Sequence, residues 1–327
     1  MLSLTCAISE YDHVRDLVSG RVRADGVALS CFSMPVEEIF FRMLRHREFD
    51  IAEMSMGRYV SILSQDNCPF VALPVFPSRM FRHSSIYVNV DGRVRGPRDL
   101  KGKRIGVPEW AQTAGIYTRG LLGQQFGIGL RDVEWVQAGI HEAGREEEVT
   151  VSPPDGVTIV RYSDRTLNEM LLRGEIDAMM SAHAPPSFEA SHPKIRRLFD
   201  DFMDIEHRYW QDSKVFPIMH TVVLKRDVFE RNRWIAMNLL KAFEEAKDRS
   251  MERICDATAA RVPLPWAFEH IRRVKAAFGD EFWPYGIEQN RTTLSTFLGF
   301  AFEQGVTRRL VSAEELFPSE THTRFRI

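Results

Sequence analysis

Apolar and polar positions change period several times along this chain, and each change marks an element. Leu2, Leu4, Cys6 and Ile8 alternate with small or hydroxylated residues, the two-residue period of a strand that ends in the turn Ser9 to His13. Val36, Ile39, Phe40, Met43 and Leu44 then recur at the spacing of one helical face, with Pro35 at its start. Phe49 to Met56 is short and largely apolar, as in a parallel strand buried on both faces. From Pro69 to Val90 the chain is rich in strand formers but is interrupted by Pro74, Pro77 and a polar cluster. That pattern predicts a strand that leaves one lobe, turns, and re-emerges as Ile86-Tyr-Val-Asn-Val in another.

The second lobe then reads as a strand Arg104 to Val107, a helix from about 113 to 126, and strands near 133 to 136 and 157 to 161. A helix Thr166 to Arg173, closed by Gly174, and a strand Ile176 to Met180 continue it. Residues 141 to 156 read as an exposed insertion to which no chemistry is assigned. Phe216 to Leu224 reads as a second crossover, returning to the first lobe. The rest of the chain is mainly helical: Val228 to Asp248, with Trp234 and Phe243 on its apolar face, and Asn290 to Gln304, with Asn290 as N-cap and Phe297 and Phe302 facing inward. Alternating strands and helices imply an α/β fold with two lobes. The predicted division is 1–85 plus 220–327 for the first lobe and 86–219 for the second, with a hinge crossover between them and a helical C-terminal region.

Composition narrows the class. At 327 residues the chain is longer than one core usually supports, and it has 44% hydrophobic and 27% charged residues, as in ordinary soluble proteins. No apolar run approaches the roughly 18 residues of a membrane span. Forty-three basic and 45 acidic side chains leave a net charge of −2, so no global field favours nucleic acid or an anionic membrane. Cys6, Cys31, Cys68 and Cys255 form no CxxC pair, and the N-terminus has neither a basic region nor a long apolar run. Free thiols and a cytoplasmic location are the expectation.

Chemistry gathers at a few places. The turn Lys101-Gly102-Lys103, the strand after it and the residues opening the next helix make a place where backbone N–H groups converge on an anion. No GxGxxG, GxxxxGK[ST] or GxSxG motif occurs. Three cationic or ionisable side chains, Arg79, Arg82 and His83, fall within five positions of the first crossover. His220 lies on the second, and His183 follows the strand Ile176 to Met180, at the strand end where open α/β sheets bind ligands. Glu53 stands inside a strand expected to be buried, where a carboxylate needs a partner, either Arg58 or a group in the cleft. The remaining histidines, His13 among them, read as solvated.

Asp99-Leu-Lys-Gly-Lys-Arg-Ile-Gly-Val-Pro and Leu172-Arg-Gly-Glu-Ile-Asp-Ala look like segments of type II periplasmic-binding-protein folds. Phe76-Pro-Ser-Arg-Met-Phe-Arg-His-Ser-Ser-Ile-Tyr-Val-Asn, Phe216-Pro-Ile-Met-His-Thr and Tyr285-Gly-Ile-Glu-Gln-Asn-Arg resemble the 4,5-dihydroxyphthalate decarboxylases of aromatic degradation, over nearly the whole chain. That resemblance implies non-oxidative loss of CO₂ from a hydroxylated aromatic dicarboxylate, giving protocatechuate (3,4-dihydroxybenzoate). It also implies homo-oligomerisation. A non-catalytic solute-binding protein for a small aromatic acid is the alternative. A thiamine-pyrimidine synthase would need a Cys-rich motif, which this chain lacks.

Such a reaction needs proton exchange at a phenol and at a ring carbon, and fixed cations for carboxylates. His83, His220 and Glu53 are the candidates for the first task. Arg79, Arg82, Gln112, Thr113 and His183 are candidates for holding substrate, with the Trp110 indole covering the ring. No cofactor is required by these residues. A divalent metal held by histidines and the catechol oxygens is an open alternative.

Overall fold

The computed structural model describes residues 1–259 and 261–323, so Ala260 and the last four positions assigned to the first lobe lie outside the described residues. Two sheets organise it. The first has five strands in the order β2 (Val27–Phe32), β1 (Leu2–Ala7), β3 (Ile51–Ser55), β11 (His220–Lys225) and β4 (Phe70–Leu73). β1 runs parallel to β2 and β3, whereas β11 is antiparallel to both β3 and β4. The second has six, in the order β10 (Ile195–Arg197), β5 (Ile86–Asn89), β9 (Ala178–Met180), β6 (Arg104–Val107), β7 (Glu134–Gly139) and β8 (Thr158–Thr166). Strands of the first sheet thus come from residues 2–73 and 220–225, and those of the second from 86–197. This is the α/β organisation that the pattern predicted.

Helices α1 (Arg15–Val18), α2 (Val36–His46) and α3 (Met56–Leu63) belong with the first sheet. With the second go α4 (Thr113–Phe126), α5 (Leu167–Leu172), α6 (Pro186–Glu189) and α7 (Phe202–Ser213), and α8 (Arg226–Arg231), α9 (Ile235–Cys255), α10 (Ala267–Phe278) and α11 (Arg291–Glu303) follow β11. All five β3 residues are buried, as a strand covered on both faces requires. At its end the chain enters α3 directly, and Gly57 lies so close to the start of α4 that a Cβ there would overlap the Ala111 carbonyl oxygen. Only glycine permits that contact between a helix of the first sheet and one of the second.

Four local expectations fail. The predicted helix from Val228 to Asp248 is two helices, because Asn232 leaves helical geometry and its side-chain amide donates to the Val228 carbonyl at 3.1 Å. Trp234, in the break, is 47% exposed rather than in the core. Asn290 does not cap α11 with its side chain: its amide donates to Pro284 and Gly286 carbonyls, and Phe302 is 45% exposed. All four cysteines are free thiols, and among the described residues no helix is long and apolar enough to cross a membrane.

Candidate active site

The C-terminal ends of β3, β6 and β9 and the start of β11 meet at one cleft, where ligands of open α/β sheets bind. Arg82 and His220 enter it from the two crossovers, Gln112 and Thr113 from the start of α4, His183 from beyond β9, and Glu37 and Phe40 from α2.

Pairing of β11 with β3 builds one wall. His220 lies opposite Ser55 and Val222 opposite Glu53, so His220 and Glu53 are diagonal neighbours on the same face of the sheet. Their side chains close that gap, with His220 Nδ1 2.6 Å from Glu53 Oε1. Glu53 is fully buried and also accepts from the Tyr11 hydroxyl at 2.7 Å and the Ser9 amide at 3.1 Å. Three donors satisfy a carboxylate that would otherwise be costly to enclose. Burial and the Glu53 charge push the Tyr11 phenol well above its ordinary range, so it remains a donor. The Phe40 ring meets the imidazole edge to face, at 5.0 Å between centroids. Nε2 of His220 has no partner among the described residues. A carboxylate behind one imidazole nitrogen fixes the ring and its tautomer, leaving the other nitrogen for proton exchange.

Arg82 supplies the cleft's least compensated cation. It is buried, its Nε donates to the Met219 sulfur at 3.1 Å, one terminal nitrogen lies 3.4 Å from the Ala182 carbonyl, and no carboxylate forms an ion pair with it among the described residues. Burial pushes its pKa down to about 10, so it stays charged at neutral pH. Gln112 accepts from the Ala182 amide at 3.2 Å, leaving its own NH₂ donor without a partner among the described residues. At the mouth, His183 Nε2 lies 2.6 Å from Glu37 Oε1, and each group holds the other in its charged form: Glu37 is lowered to about 2 and His183 is raised.

Other predicted site residues lie outside the cleft or, like Thr113, line it with the hydroxyl already engaged. Arg79 turns away from the cleft, donating to the Phe216 and Pro284 carbonyls at 3.3 and 2.7 Å and to the Asn290 side-chain oxygen, and its guanidinium packs beside the Phe76 and Phe216 rings. His83 is buried, with Nε2 2.7 Å from Gln125 and its ring against Phe199 and Tyr209. Burial lowers its pKa. Trp110 is also enclosed: its indole donates to the Gln304 carbonyl at 2.8 Å and packs against Trp135 and Arg119, so it is not available to cover a substrate ring. The Thr113 hydroxyl is engaged with Ser55 and the Gly57 amide, both at 2.9 Å, and Gln112 rather than Thr113 is the N-cap residue. His13, expected in solvent, packs against Tyr11 and Trp283, and burial lowers it to about 4.

Several cleft residues escaped sequence reasoning. Arg58 does not pair with Glu53. Instead it forms a two-pronged contact with Glu109, at 3.1 and 2.9 Å, and an ion pair with Glu148 at 2.9 Å. The supposedly inert insertion reaches back to the site: Arg145 lines the cleft and meets Glu109, while Glu147 accepts from the Trp110 and Ala111 amides. Glu37 carried one available signal, an acidic residue in the first turn of an amphipathic helix. Among the described residues, no group of three or more His, Cys, Asp or Glu side chains is gathered to hold a metal ion, and the His220 and Glu53 donors engage each other. A divalent metal therefore has no ready ligand set, and no reaction step is routed through one.

No protein-family model matches the chain. Over all 327 residues it is 36% identical to the 4,5-dihydroxyphthalate decarboxylase of Comamonas testosteroni, covering 99% of that protein. Over 201 residues it is 41% identical to the enzyme of the same name from Pseudomonas putida, a match that covers 61% of this chain and 78% of that one. Solved structures share the fold at low identity. The periplasmic aliphatic sulphonate binding protein SsuA from Escherichia coli superposes with TM-score 0.54 at 14% identity, covering 100% of this chain and 95% of its own. A sulfonate-binding SsuA from Methylobacillus flagellatus KT gives 0.58 at 13%, covering 98% and 92%. The fold is thus the two-lobed periplasmic-binding-protein type, and the full-length relationship shows that the chain belongs to the 4,5-dihydroxyphthalate decarboxylase family of carboxy-lyases.

Proposed function

We propose that the chain converts 4,5-dihydroxyphthalate to 3,4-dihydroxybenzoate and CO₂ in the cleft that holds His220 and Arg82. The observation carrying this reading is one cleft that contains both a carboxylate-backed imidazole and a buried guanidinium without a carboxylate partner among the described residues. The first suits proton transfer, the second an anionic substrate.

Arg82 and the Gln112 amide hold the carboxylate that the product retains. A dedicated, buried cation on the departing carboxylate would stabilise the ground state and oppose reaction. The departing group instead faces the apolar surface of Phe40 and Met219. The hydroxyl para to it is directed at the Glu37–His183 pair, and neutral His183, made more basic by Glu37, accepts its proton as electron density moves into the ring. Protonated His220 delivers its Nε2 proton to the ring carbon bearing the departing carboxylate. The bond from that carbon to the carboxylate then breaks, its electrons restore the aromatic ring, and CO₂ leaves. His183 returns the proton to the phenolate oxygen, and solvent reprotonates His220. One proton is consumed per turnover. Glu53 touches no substrate in this scheme; it is a positioning residue that orients His220 and balances its charge.

Closure of the lobes 1–85 plus 220–327 and 86–219 about the two crossovers would exclude water from the cleft. The four free thiols fit a cytoplasmic setting. Exposed Leu264, Trp266 and Phe268 support self-association. The test is product analysis of purified protein with 4,5-dihydroxyphthalate: stoichiometric CO₂ and 3,4-dihydroxybenzoate are expected. Tight binding without release of CO₂ would instead fit a carrier.

A further inference from the structure

The cleft contains three arginines, and their surroundings differ. Arg58 is locked by Glu109 on one side and Glu148 on the other, with its guanidinium beside the Phe40 ring. Arg82 has no carboxylate partner among the described residues. Arg145 is intermediate: its Nε and one terminal nitrogen both rest on a single oxygen of Glu109, at 2.6 and 2.5 Å, and that carboxylate already bonds Arg58. The other terminal nitrogen of Arg145 has no partner among the described residues, and its side chain is 38% exposed.

Arg145 is nevertheless well placed by its neighbours in sequence. Glu147 ties the segment to the start of α4 through the Trp110 and Ala111 amides, at 2.6 and 2.9 Å, and to Gln137 at 2.9 Å. Glu148 ties it to Arg58. The insertion therefore delivers a guanidinium to the cleft from a backbone held at two points. Arg145, Arg82 and His183 all line the same cleft, which brings two cations to one binding space.

Resting on the decarboxylase reading, we propose that Arg145 binds the second carboxylate and so makes the enzyme selective for a di-acid over a mono-acid. The two carboxylates of a phthalate stand on neighbouring ring carbons, so recognising both requires two cations near one another. Arg82 takes the carboxylate that remains, and Arg145 bridges Glu109 and the rim of the one that departs. A shared, partly exposed cation binds that group less tightly than a dedicated buried one, so it aids capture with little opposition to bond breaking. Loss of CO₂ removes this contact, which weakens product binding relative to substrate.

The test compares Arg145→Gln and Arg145→Lys with the unaltered protein, by steady-state kinetics with 4,5-dihydroxyphthalate and by calorimetric titration with phthalate and with 3,4-dihydroxybenzoate. Arg145→Gln should raise KM and the phthalate Kd about 30-fold while leaving the 3,4-dihydroxybenzoate Kd within about twofold and kcat within about threefold. Arg145→Lys, which keeps charge but not the fork, should fall between. Equal weakening of both ligands, or of neither, would overturn the proposal. The ratio of the two Kd values decides it even if the unaltered protein releases no CO₂, an outcome that would sink the decarboxylase reading alone.

Discussion

Arg82 and Arg79 are three residues apart on one crossover, both are buried, and burial lowers both to about 10. Their environments are nevertheless opposite. Arg79 donates to two backbone carbonyls and the Asn290 side chain, whereas Arg82 has a thioether and one long carbonyl contact. The histidines divide in the same way: His83 is enclosed by Gln125, Phe199 and Tyr209, while His220 keeps one nitrogen for the cleft. Burial and charge alone do not distinguish a binding cation from a structural one. Access to the cleft does: among the described residues Arg79 Nε and His83 Nδ1 also lack hydrogen-bond partners, yet they are enclosed and neither residue lines the cleft, whereas Arg82 and His220 do.

The largest effect should come from the histidines. His220→Gln is expected to lower kcat about 1,000-fold with modest change in phthalate affinity, the scale of a lost proton-transfer group. His83→Gln should leave kcat within about threefold; a comparable loss at both positions in kinetic assays would erase the distinction. The arginine pair is next. Arg82→Gln should raise KM about 100-fold without lowering the unfolding midpoint, because it removes an imperfectly compensated buried charge. Arg79→Gln should do the reverse, costing about 3 kcal/mol of stability in urea titrations while the folded fraction keeps its KM.

A smaller effect concerns pH. His83 and His13 have folded pKa values below the ordinary histidine value, so the unfolded chain binds more protons at mildly acid pH. Their contribution is present above the unfolded value of about 6.5 and is lost as pH falls toward the folded values, at up to about 1.4 kcal/mol for each tenfold difference in proton affinity between the two states. His83→Gln should flatten the fall in urea midpoint between pH 7 and 5; an unchanged slope would count against it. His183 has the opposite sign, since Glu37 raises it: its contribution is present below the unfolded value and fades as pH rises through the folded one. Because that pair is about half exposed, His183→Gln should change stability by less than about 0.5 kcal/mol, measured by thermal denaturation.

Much of the fold was legible because its elements carry clear periods. The strand Arg104 to Val107 and the helix 113 to 126 fall where the pattern put them. α8 and α9 read as one helix because periodicity continues across a break at Asn232, where the backbone leaves helical geometry and the side chain bonds the Val228 carbonyl. Among the predicted site residues, Arg82 and His220 on the crossovers, Gln112 and Thr113 at a helix start and His183 beyond a strand end line one cleft. Arg79, His83 and Trp110 do not, since a crossover has no fixed period to say which side each residue faces. Glu53 lies beside His220 for a reason absent from either segment alone, the register that pairs Val222 with Glu53. Arg145 was invisible because the polar insertion has no periodicity, and its role depends on anchors at Glu147 and Glu148.

β11 lies between β3 and β4, although every strand of the second sheet is encoded between β4 and β11. During synthesis, therefore, the second sheet has all its strands before the first does. Until residue 225 leaves the ribosome, β3 and β4 lack the strand that joins them, and His220 has not yet met Glu53. A nascent chain stopped at about residue 215 should thus carry a folded second lobe beside an incomplete first one, with bare strand edges available to chaperones or to other chains.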